Sequence, residues 1–337
     1  IVSGKQTHKV PLHNRYPLNS NTYLHDTPTV AVGDKVKAGQ TLAENNFTNQ
    51  GSLAMGKNLR IAYMPYKGKN FEDGIVISET AAKKLTSIHK YEHRLDKDSS
   101  IKVGLDTMLA HFPDQADKLG NKSRYGSDGI IKKGATVNHG DLLIPAVQEQ
   151  KLHEDYDYAR LHRALSNSWS DRSIYWDHDH KGKVMDVIST PTFVKVLIET
   201  EEQATIGDKI SMRHGGKGII TTVLPDNEMY RDEKNEPLDV LFNPTGVPGR
   251  VNPGQMFEAA AGKLAKTTGK TYVVKNFGNQ GPTLDKIQSE LRSAGINENA
   301  EETVTDPETG RQYPGTLVGD THFFKLKHMV SKKFSAR

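Results

Sequence analysis

Apolar residues along this chain fall into short runs, many alternating with polar positions at a period of two, and glycine or proline breaks the runs every few residues. The runs Leu59 to Met64, Ile75 to Ile77 and Phe193-Val194-Lys195-Val196-Leu197-Ile198 are strand-sized and far short of a bilayer span. This pattern predicts a mainly β protein with inserted helices. Helical patterning is confined to about 78–87, 150–166, 253–267 and 283–294. The third has a readable start and stop: Asn252 can cap it, Pro253 suits its first turn, and Thr267, Thr268 and Gly269 end it. Residues 299–317, centred on Asp306-Pro-Glu-Thr-Gly310, read as a hairpin with a polar tip. Boundaries near 90 and 200 enclose a more polar, helix-containing insertion. One pattern repeats: Gly33-x-x-Val36-x-x-Gly39-x-x-Leu42 recurs as Gly134-x-x-Val137-x-x-Gly140-x-x-Leu143. Each copy reads as a tight strand-turn-strand corner of the kind found in biotinyl/lipoyl domains. A carrier domain would also need a modifiable lysine at a hairpin tip with characteristic neighbours, and no such tip is found.

The 337 residues, 35% of them hydrophobic, suffice for two or three compact units. Zero cysteines exclude a disulfide framework, cysteine-ligated zinc and thiolate catalysis, which fits a reducing, cytoplasmic location. The formal charge is only +4, but it is unevenly spread. After Asp320 come Lys325, Lys327, Lys332, Lys333 and Arg337 with no acid, plus His322 and His328, interleaved with apolar residues such as Phe323, Phe324 and Met329. This stretch is either a solvated basic face or a nucleic-acid contact. The sequence opens at Ile1 rather than a methionine, which fits an excerpt, a processed product or a part of something longer.

Three segments carry candidate chemistry. Residues 207–218 read Gly-Asp-Lys-Ile-Ser-Met-Arg-His-Gly-Gly-Lys-Gly, with Lys209, Arg213, His214 and Lys217 against the single acid Asp208. A P-loop would need glycine at Ser211 and Ser or Thr at Gly218, so that template fails. The glycines still allow backbone amides close to an anion, and Lys209 and Lys217 can converge on it across a bend. In Asn70-Phe-Glu72-Asp73-Gly74 the two acids are either a metal-facing pair or a β-turn; adjacent carboxylates on a strand point to opposite faces. In Asn243-Pro-Thr-Gly-Val-Pro-Gly-Arg250-Val-Asn-Pro-Gly-Gln255 a rigid loop delivers Arg250 beside a helix start, as a triphosphate site or as a surface arginine. Two further groups carry less. Asp177-His178-Asp179-His180 would align two histidines on a strand face, but with Lys181-Gly182-Lys183 following it reads better as a polar hairpin tip than as a metal site. Tyr156-Asp157-Tyr158 and Trp169 read as partial burial.

In this order the segments resemble the catalytic half of the β subunit of multisubunit DNA-dependent RNA polymerases. The residues that carry the resemblance are Gly56-Lys-Asn-Leu-Arg-Ile-Ala-Tyr-Met-Pro-Tyr66 running into Asn70 to Glu79, then Gly207 to Gly218, then Asn243 to Gln255, then Leu326-x-His328-x-Val330-x-x-Lys333. Weaker similarity over 90–200 looks like a shortened flap domain holding the second glycine corner. The resemblance implies a double-psi β-barrel from roughly residues 50–90 and 200–250, with a flap-like barrel-sandwich insertion at 91–200. It also implies a nucleotide-binding loop and helix up to 280, and a C-terminal helix, hairpin and basic hybrid-contacting segment over 281–337.

The activity implied is DNA-directed RNA synthesis, a nucleotidyl transfer with two Mg²⁺ ions in a centre shared with a β′-like subunit. That partner's Asp-x-Asp-Gly-Asp triad is not found here, so this chain alone is expected to be inactive. Carried over residue by residue, Asp73 would help hold the second, nucleotide-bound Mg²⁺ through water, with Glu72 beside it. Lys209 and Lys217 would meet the RNA 3′ phosphate and the incoming NTP, and Arg250 its triphosphate. His328 and Lys333, with Lys327 and Lys325, would lie near template and hybrid. Expected partners are the β′-like subunit, an N-terminal β-like part if encoded separately, alpha-like or sigma-like subunits, template DNA, transcript and NTPs. No membrane is expected. Nothing in this sequence resembles the family's N-terminal lobes, and it ends at Ser335-Ala-Arg337 where typical β subunits continue; the remaining portions are expected to be disordered, excised or encoded on another chain. Split β subunits occur in the polymerases of some large bacteriophages, and the short divergent flap fits that origin, which would place the protein in the host cytoplasm or the virion. The other readings are a noncatalytic nucleic-acid-binding or assembly protein that kept the barrel, and the carrier domain.

Overall fold

The computed structural model describes residues 1–4, 6–19, 21–149, 169–274 and 283–333. The helix expected over 150–166, with Tyr156-Asp157-Tyr158, lies outside them. The chain forms two compact units: residues 1–12, 26–87 and 203–337 in one, 13–25 and 88–202 in the other. Among the described residues no helix is long and apolar enough to cross a membrane.

The first unit is built on β1 (Lys57–Tyr63), β2 (Gly74–Ser78), α1 (Glu79–Lys84), β3 (Lys209–Met212), β4 (Lys217–Leu224), β5 (Val240–Phe242), α2 (Gly254–Thr268), α3 (Thr283–Ser293), β6 (Glu301–Thr305) and β7 (Gln312–Lys325). Six of these strands close on themselves in the order β3-β4-β2-β5-β1-β7, with β7 pairing back to β3 and β6 extending β7. The pairings β2–β4 and β5–β1 are parallel and the others antiparallel, so the result is a closed mixed barrel of the kind the resemblance implies. Side-chain alternation fills it. Leu59, Ile61, Tyr63, Ile75, Ile77, Ile210, Met212, Val240 and Phe323 pack into one core. On the opposite face of the same strands, Ala62, Met64, Val76 and Leu241 pack with Tyr230, Leu238 and Val304. Strands buried on both faces read as continuous apolar runs, which explains why Leu59 to Met64 and Ile75 to Ile77 lack polar interruptions apart from Arg60.

Ser78 caps α1, accepting a hydrogen bond from the Ala81 amide. The helix ends at Lys84, short of the expected 87, because the chain turns into a strand at Ser87. Helix α2 runs to the Gly269 cap, where φ is +67°, but Asn252 does not cap its start. The Asn252 amide instead donates to the His214 carbonyl at 3.0 Å, and no side chain caps this helix. Packing compensates for the missing cap. Gly262 of α2 and Gly319 of β7 let the two backbones approach so closely that a Cβ at either would overlap the Asp320 or Ala259 carbonyl. Helix α3 covers α2 through Ile287 and Leu291. The β6–β7 tip is held by Asp306, whose carboxylate accepts from the Glu308 amide and the Thr309 hydroxyl at 2.9 and 2.8 Å.

The second unit contains a sheet of strands Ser87–Asp96, Phe193–Glu202, Gly182–Ser189 and Thr136–Val137, in that spatial order, around a core centred on the fully buried Trp176. The glycine repeat is a repeat of turn conformation. Gly33, Gly39, Gly134 and Gly140 all have φ between +80° and +99°. Only the second copy is woven into a core, where Val137 and Leu143 are fully buried; Val32 and Val36 of the first lie on the surface.

Candidate functional site

The acid-bearing loop between β1 and β2 is shaped by a residue with no catalytic chemistry of its own. Asn70 is buried, accepts from the Tyr66 amide at 2.8 Å and donates to the Met64 and Leu241 carbonyls at 2.9 and 3.3 Å. The loop then closes as a turn, with the Gly74 amide donating to the Phe71 carbonyl and Glu72 in the left-handed region at φ +52°. Phe71 to Gly74 is therefore the β-turn of the two expectations, and the Asp73 side chain on it is half exposed. The Asp73 carbonyl accepts from the Ile219 amide at 3.0 Å, and a Cβ at Gly218 would collide with it. Glycine at 218 is thus what lets β4 lie against the acid loop.

Arg250 comes from a different segment. Asn243 accepts from both the amide and the hydroxyl of Thr245, starting two short 3-10 turns that end at Arg250. Val251 follows at φ +50° and is 85% exposed. A β-branched residue rarely adopts that conformation, so the loop stores strain at its tip. The Arg250 guanidinium reaches the Asp73 carboxylate at 2.5 Å, with both side chains half exposed.

The segment 207–218 turns out to be a hairpin. Strands β3 and β4 pair in the register Lys209↔Ile219 and Ser211↔Lys217, and Gly215, at φ +84°, makes the turn. Directly opposed residues share a sheet face, so Lys209, Lys217 and the exposed Ile219 lie on one side. Arg213 and His214 point elsewhere: both pair with Glu258 of α2, at 3.2 and 3.1 Å, and Glu258 also accepts the His322 amide. They pin the turn to the helix. Asn252 pins the Arg250 loop to the same turn through the His214 carbonyl. Three segments far apart in sequence are therefore locked to each other, and they present Asp73, Arg250 and Lys217 on exposed edges, with Lys209 half-buried beside them.

The basic end of the chain divides. The Lys325 side chain is buried, pairs with Asp208 at 3.3 Å and donates to the Gln203 carbonyl, so its ammonium is engaged within the unit. Asp208, the one acid of the loop, also accepts the Val330 amide, which fastens residues 326–333 beside β3. The Lys209 amide donates to the His328 carbonyl in the same strip. His328 is exposed, and its ring pKa is lowered first by Lys333, then by slight burial and by Lys209 and Lys327. Those three ammonium groups concentrate positive charge around one ring.

Burial first and then Arg213 lower the pKa of the His322 ring, against Glu258, and the ring hydrogen-bonds Asn58 at 2.9 Å. A histidine whose folded pKa lies below its unfolded value stabilises fully above about pH 6.5 and loses that contribution as pH falls toward the lower value. Thermal melts should accordingly drop from about pH 6.5 downward, and His322→Asn should remove part of that slope. An unchanged slope in the variant would contradict the assignment.

The family described as RNA polymerase Rpb2, domain 6, matches over residues 2–337. The DNA-directed RNA polymerase subunit beta of Treponema denticola is 33% identical over 338 residues, covering 95% of this chain and 28% of that protein. The subunit beta of Treponema pallidum is 33% identical over 356 residues, covering 100% of this chain and 30% of the relative. That of Rubrobacter xylanophilus is 32% identical, with 95% and 30% covered. The chain thus spans less than a third of the length of these curated relatives.

Proposed function

Because the chain belongs to the RNA polymerase Rpb2, domain 6 family, we propose that it is the catalytic-half, β-type part of a multisubunit DNA-directed RNA polymerase. In this reading it supplies the wall of the active centre that positions the incoming NTP and the RNA 3′ end. The observation that carries the reading is the Arg250–Asp73 pair at 2.5 Å, held between three mutually pinned loops, with Lys209 and Lys217 on one face of the adjoining hairpin.

The chemistry follows from that arrangement. A guanidinium presents a planar fork that fits two phosphate oxygens, and Asp73 meets one of its nitrogens. A triphosphate would take that place and release the carboxylate at the moment when a nucleotide-bound cation needs a ligand. Lys209 and Lys217 act as point charges for the 3′-terminal phosphate and the NTP. Because the loops are fixed beforehand, little reorganisation is needed when charge develops on the transferred phosphorus. His328, Lys327 and Lys333 carry the positive surface along the hybrid, while Lys325 contributes through Asp208 to the barrel.

Among the described residues no group of three ligands gathers at Asp73. A single half-exposed carboxylate suits a water-mediated hold on a nucleotide-bound Mg²⁺ and does not make a cage. Asp73 would assist in that way, with Glu72 next to it, and the primary ligands would come from a β′-like partner. When bound, the ion supplies Lewis-acid charge to the reacting phosphate.

A noncatalytic nucleic-acid-binding protein is the second reading, and the exposed lysines around His328 suit it equally. Reconstitution separates the two. The chain alone should extend no primer; mixed with the remaining polymerase subunits, including a partner with the Asp triad, it should support templated extension. A complex that assembles and binds hybrid yet never extends it would favour the second reading.

A further inference from the structure

The second unit carries a set of side chains that polymerisation does not use. Alternation along Ser87–Asp96 puts His89, Tyr91 and His93 on one face, since residues two apart share a side of a strand. Facing them is the segment Trp176-Asp177-His178-Asp179-His180. The His178 ring lies 4.1 Å from that of Tyr91, 4.6 Å from Trp176 and 6.2 Å from His93. His93 in turn packs edge-on against Trp176 at 5.4 Å. Ligand atoms of His93, Asp177 and His178 all lie within 4.8 Å of one another. The His93 Nε2 atom is buried and has no hydrogen-bond partner.

The sequence pairs His178 with His180 by their spacing, but the fold separates their roles. His180 stands 3.9 Å from Glu202, whose carboxylate already accepts from the Tyr91 and Thr200 hydroxyls at 3.0 and 3.2 Å. His178 meets His93, which comes from a strand more than eighty residues earlier. A buried ring nitrogen without a partner is costly, and a metal ion is one of the few groups that can satisfy it. Two imidazoles and one carboxylate form a donor set that suits Zn²⁺ or Co²⁺ and is too nitrogen-rich for Mg²⁺ or Ca²⁺.

We propose that His93, Asp177 and His178 form a binding site for a transition-metal dication of the Zn²⁺ class, with a fourth position open to water. Bonds of about 2.0–2.1 Å would draw the three ligand atoms closer together than they stand, which the exposed Asp177 side chain can accommodate. Tyr91 and Trp176 wall the two imidazoles and limit their rotation. A bound ion would cross-link the strand Ser87–Asp96 to the segment leading into Gly182–Ser189. The unit gains a staple that a chain without cysteine cannot make from disulfides.

The test uses the full chain, stripped with a chelator and titrated with Co²⁺ and then Zn²⁺. One equivalent of Co²⁺ should bind with the visible absorption of a four-coordinate site. Zn²⁺ should displace it and raise the melting temperature, and millimolar Mg²⁺ should not. His93→Gln and His178→Gln should each weaken Co²⁺ binding at least tenfold. His180→Gln should leave it unchanged, and circular dichroism reports whether each variant is folded. The surface change Asp177→Asn should weaken binding without a folding defect. Absence of stoichiometric Co²⁺ uptake by the folded natural chain overturns the proposal, as does equal binding by the natural chain and Asp177→Asn, or loss in His180→Gln alone.

Discussion

Replacing Arg250 by alanine is expected to lower templated RNA extension by the assembled polymerase about 10²- to 10³-fold, the scale of losing one preorganised electrostatic contact to a transition state. Subunit assembly and the melting temperature should hardly move. The side chain is half exposed and its described ion pair is with Asp73 alone, so its removal leaves no buried charge behind. The kinetic signature distinguishes its role. A residue that grips the triphosphate raises KM for the nucleotide, and one that also meets charge developing in the transition state lowers kcat as well. Arg250→Lys keeps the charge but loses the fork, and should recover only part of the rate. Lys217→Ala, on the exposed edge of the hairpin, should fall in the same direction with assembly intact. Unchanged kcat/KM at limiting NTP in both alanine variants would remove this loop system from the reaction.

What could be read from the sequence divides along a physical line. Period-two runs, turn residues and strand-sized apolar blocks are local, and they marked Leu59 to Met64, Ile75 to Ile77 and the Asp306 tip; the strand that closes the barrel, Gln312–Lys325, lies outside the 50–90 and 200–250 expected for it. The segments that hold Asp73, Arg250, Lys209 and Lys217 stand out by local composition, but composition left each of them open between a site and an ordinary turn or surface residue, and the roles proposed for them rest on the resemblance. Pairings between distant positions were not. Nothing near Asn70 signals that its amide would bridge Met64 and Leu241, or that Glu258 would gather Arg213, His214 and the His322 amide. Asn252 had the residue type of a helix cap and was drawn instead to His214 by the meeting of two loops. Lys325 looked like its exposed neighbours until Asp208 was found facing it. His178 has the same history, with its neighbour His93 hidden by sequence distance. In each case closure of the fold, not local preference, chose the partner.

The same lesson gives the largest expected effect on stability, at a residue whose neighbours in sequence are all apolar. Arg60 lies on β1 between Leu59 and Ile61, and its side chain is only 11% exposed. Its guanidinium meets Glu302 through two contacts at 2.9 and 3.1 Å and Asp232 at 2.8 Å, the latter an ion pair without hydrogen-bond alignment. Asp320, opposite it in the β1–β7 register, stands at 3.9 Å, and Lys263 reaches Glu302 at 2.8 Å. Arg60→Leu keeps an apolar side chain of suitable size but leaves the fully buried Asp232 without its cation and Glu302 with only Lys263. Breaking such a network from one side costs about 3–5 kcal/mol, a large share of the roughly 5–15 kcal/mol that holds a typical domain together. The penalty should also depend on pH. Burial by itself raises the Glu302 pKa, but Lys263 and Arg60 outweigh it and hold the carboxyl below its ordinary range. A depressed carboxylate stabilises above its unfolded pKa of roughly 4.3 and loses that contribution as pH falls through the folded value. The gap between the natural chain and Arg60→Leu should therefore be widest near neutrality and narrow below about pH 4. Denaturant unfolding at several pH values measures it directly. A loss under about 1 kcal/mol, or one that does not change with pH, would mean that the buried charges are satisfied by other means.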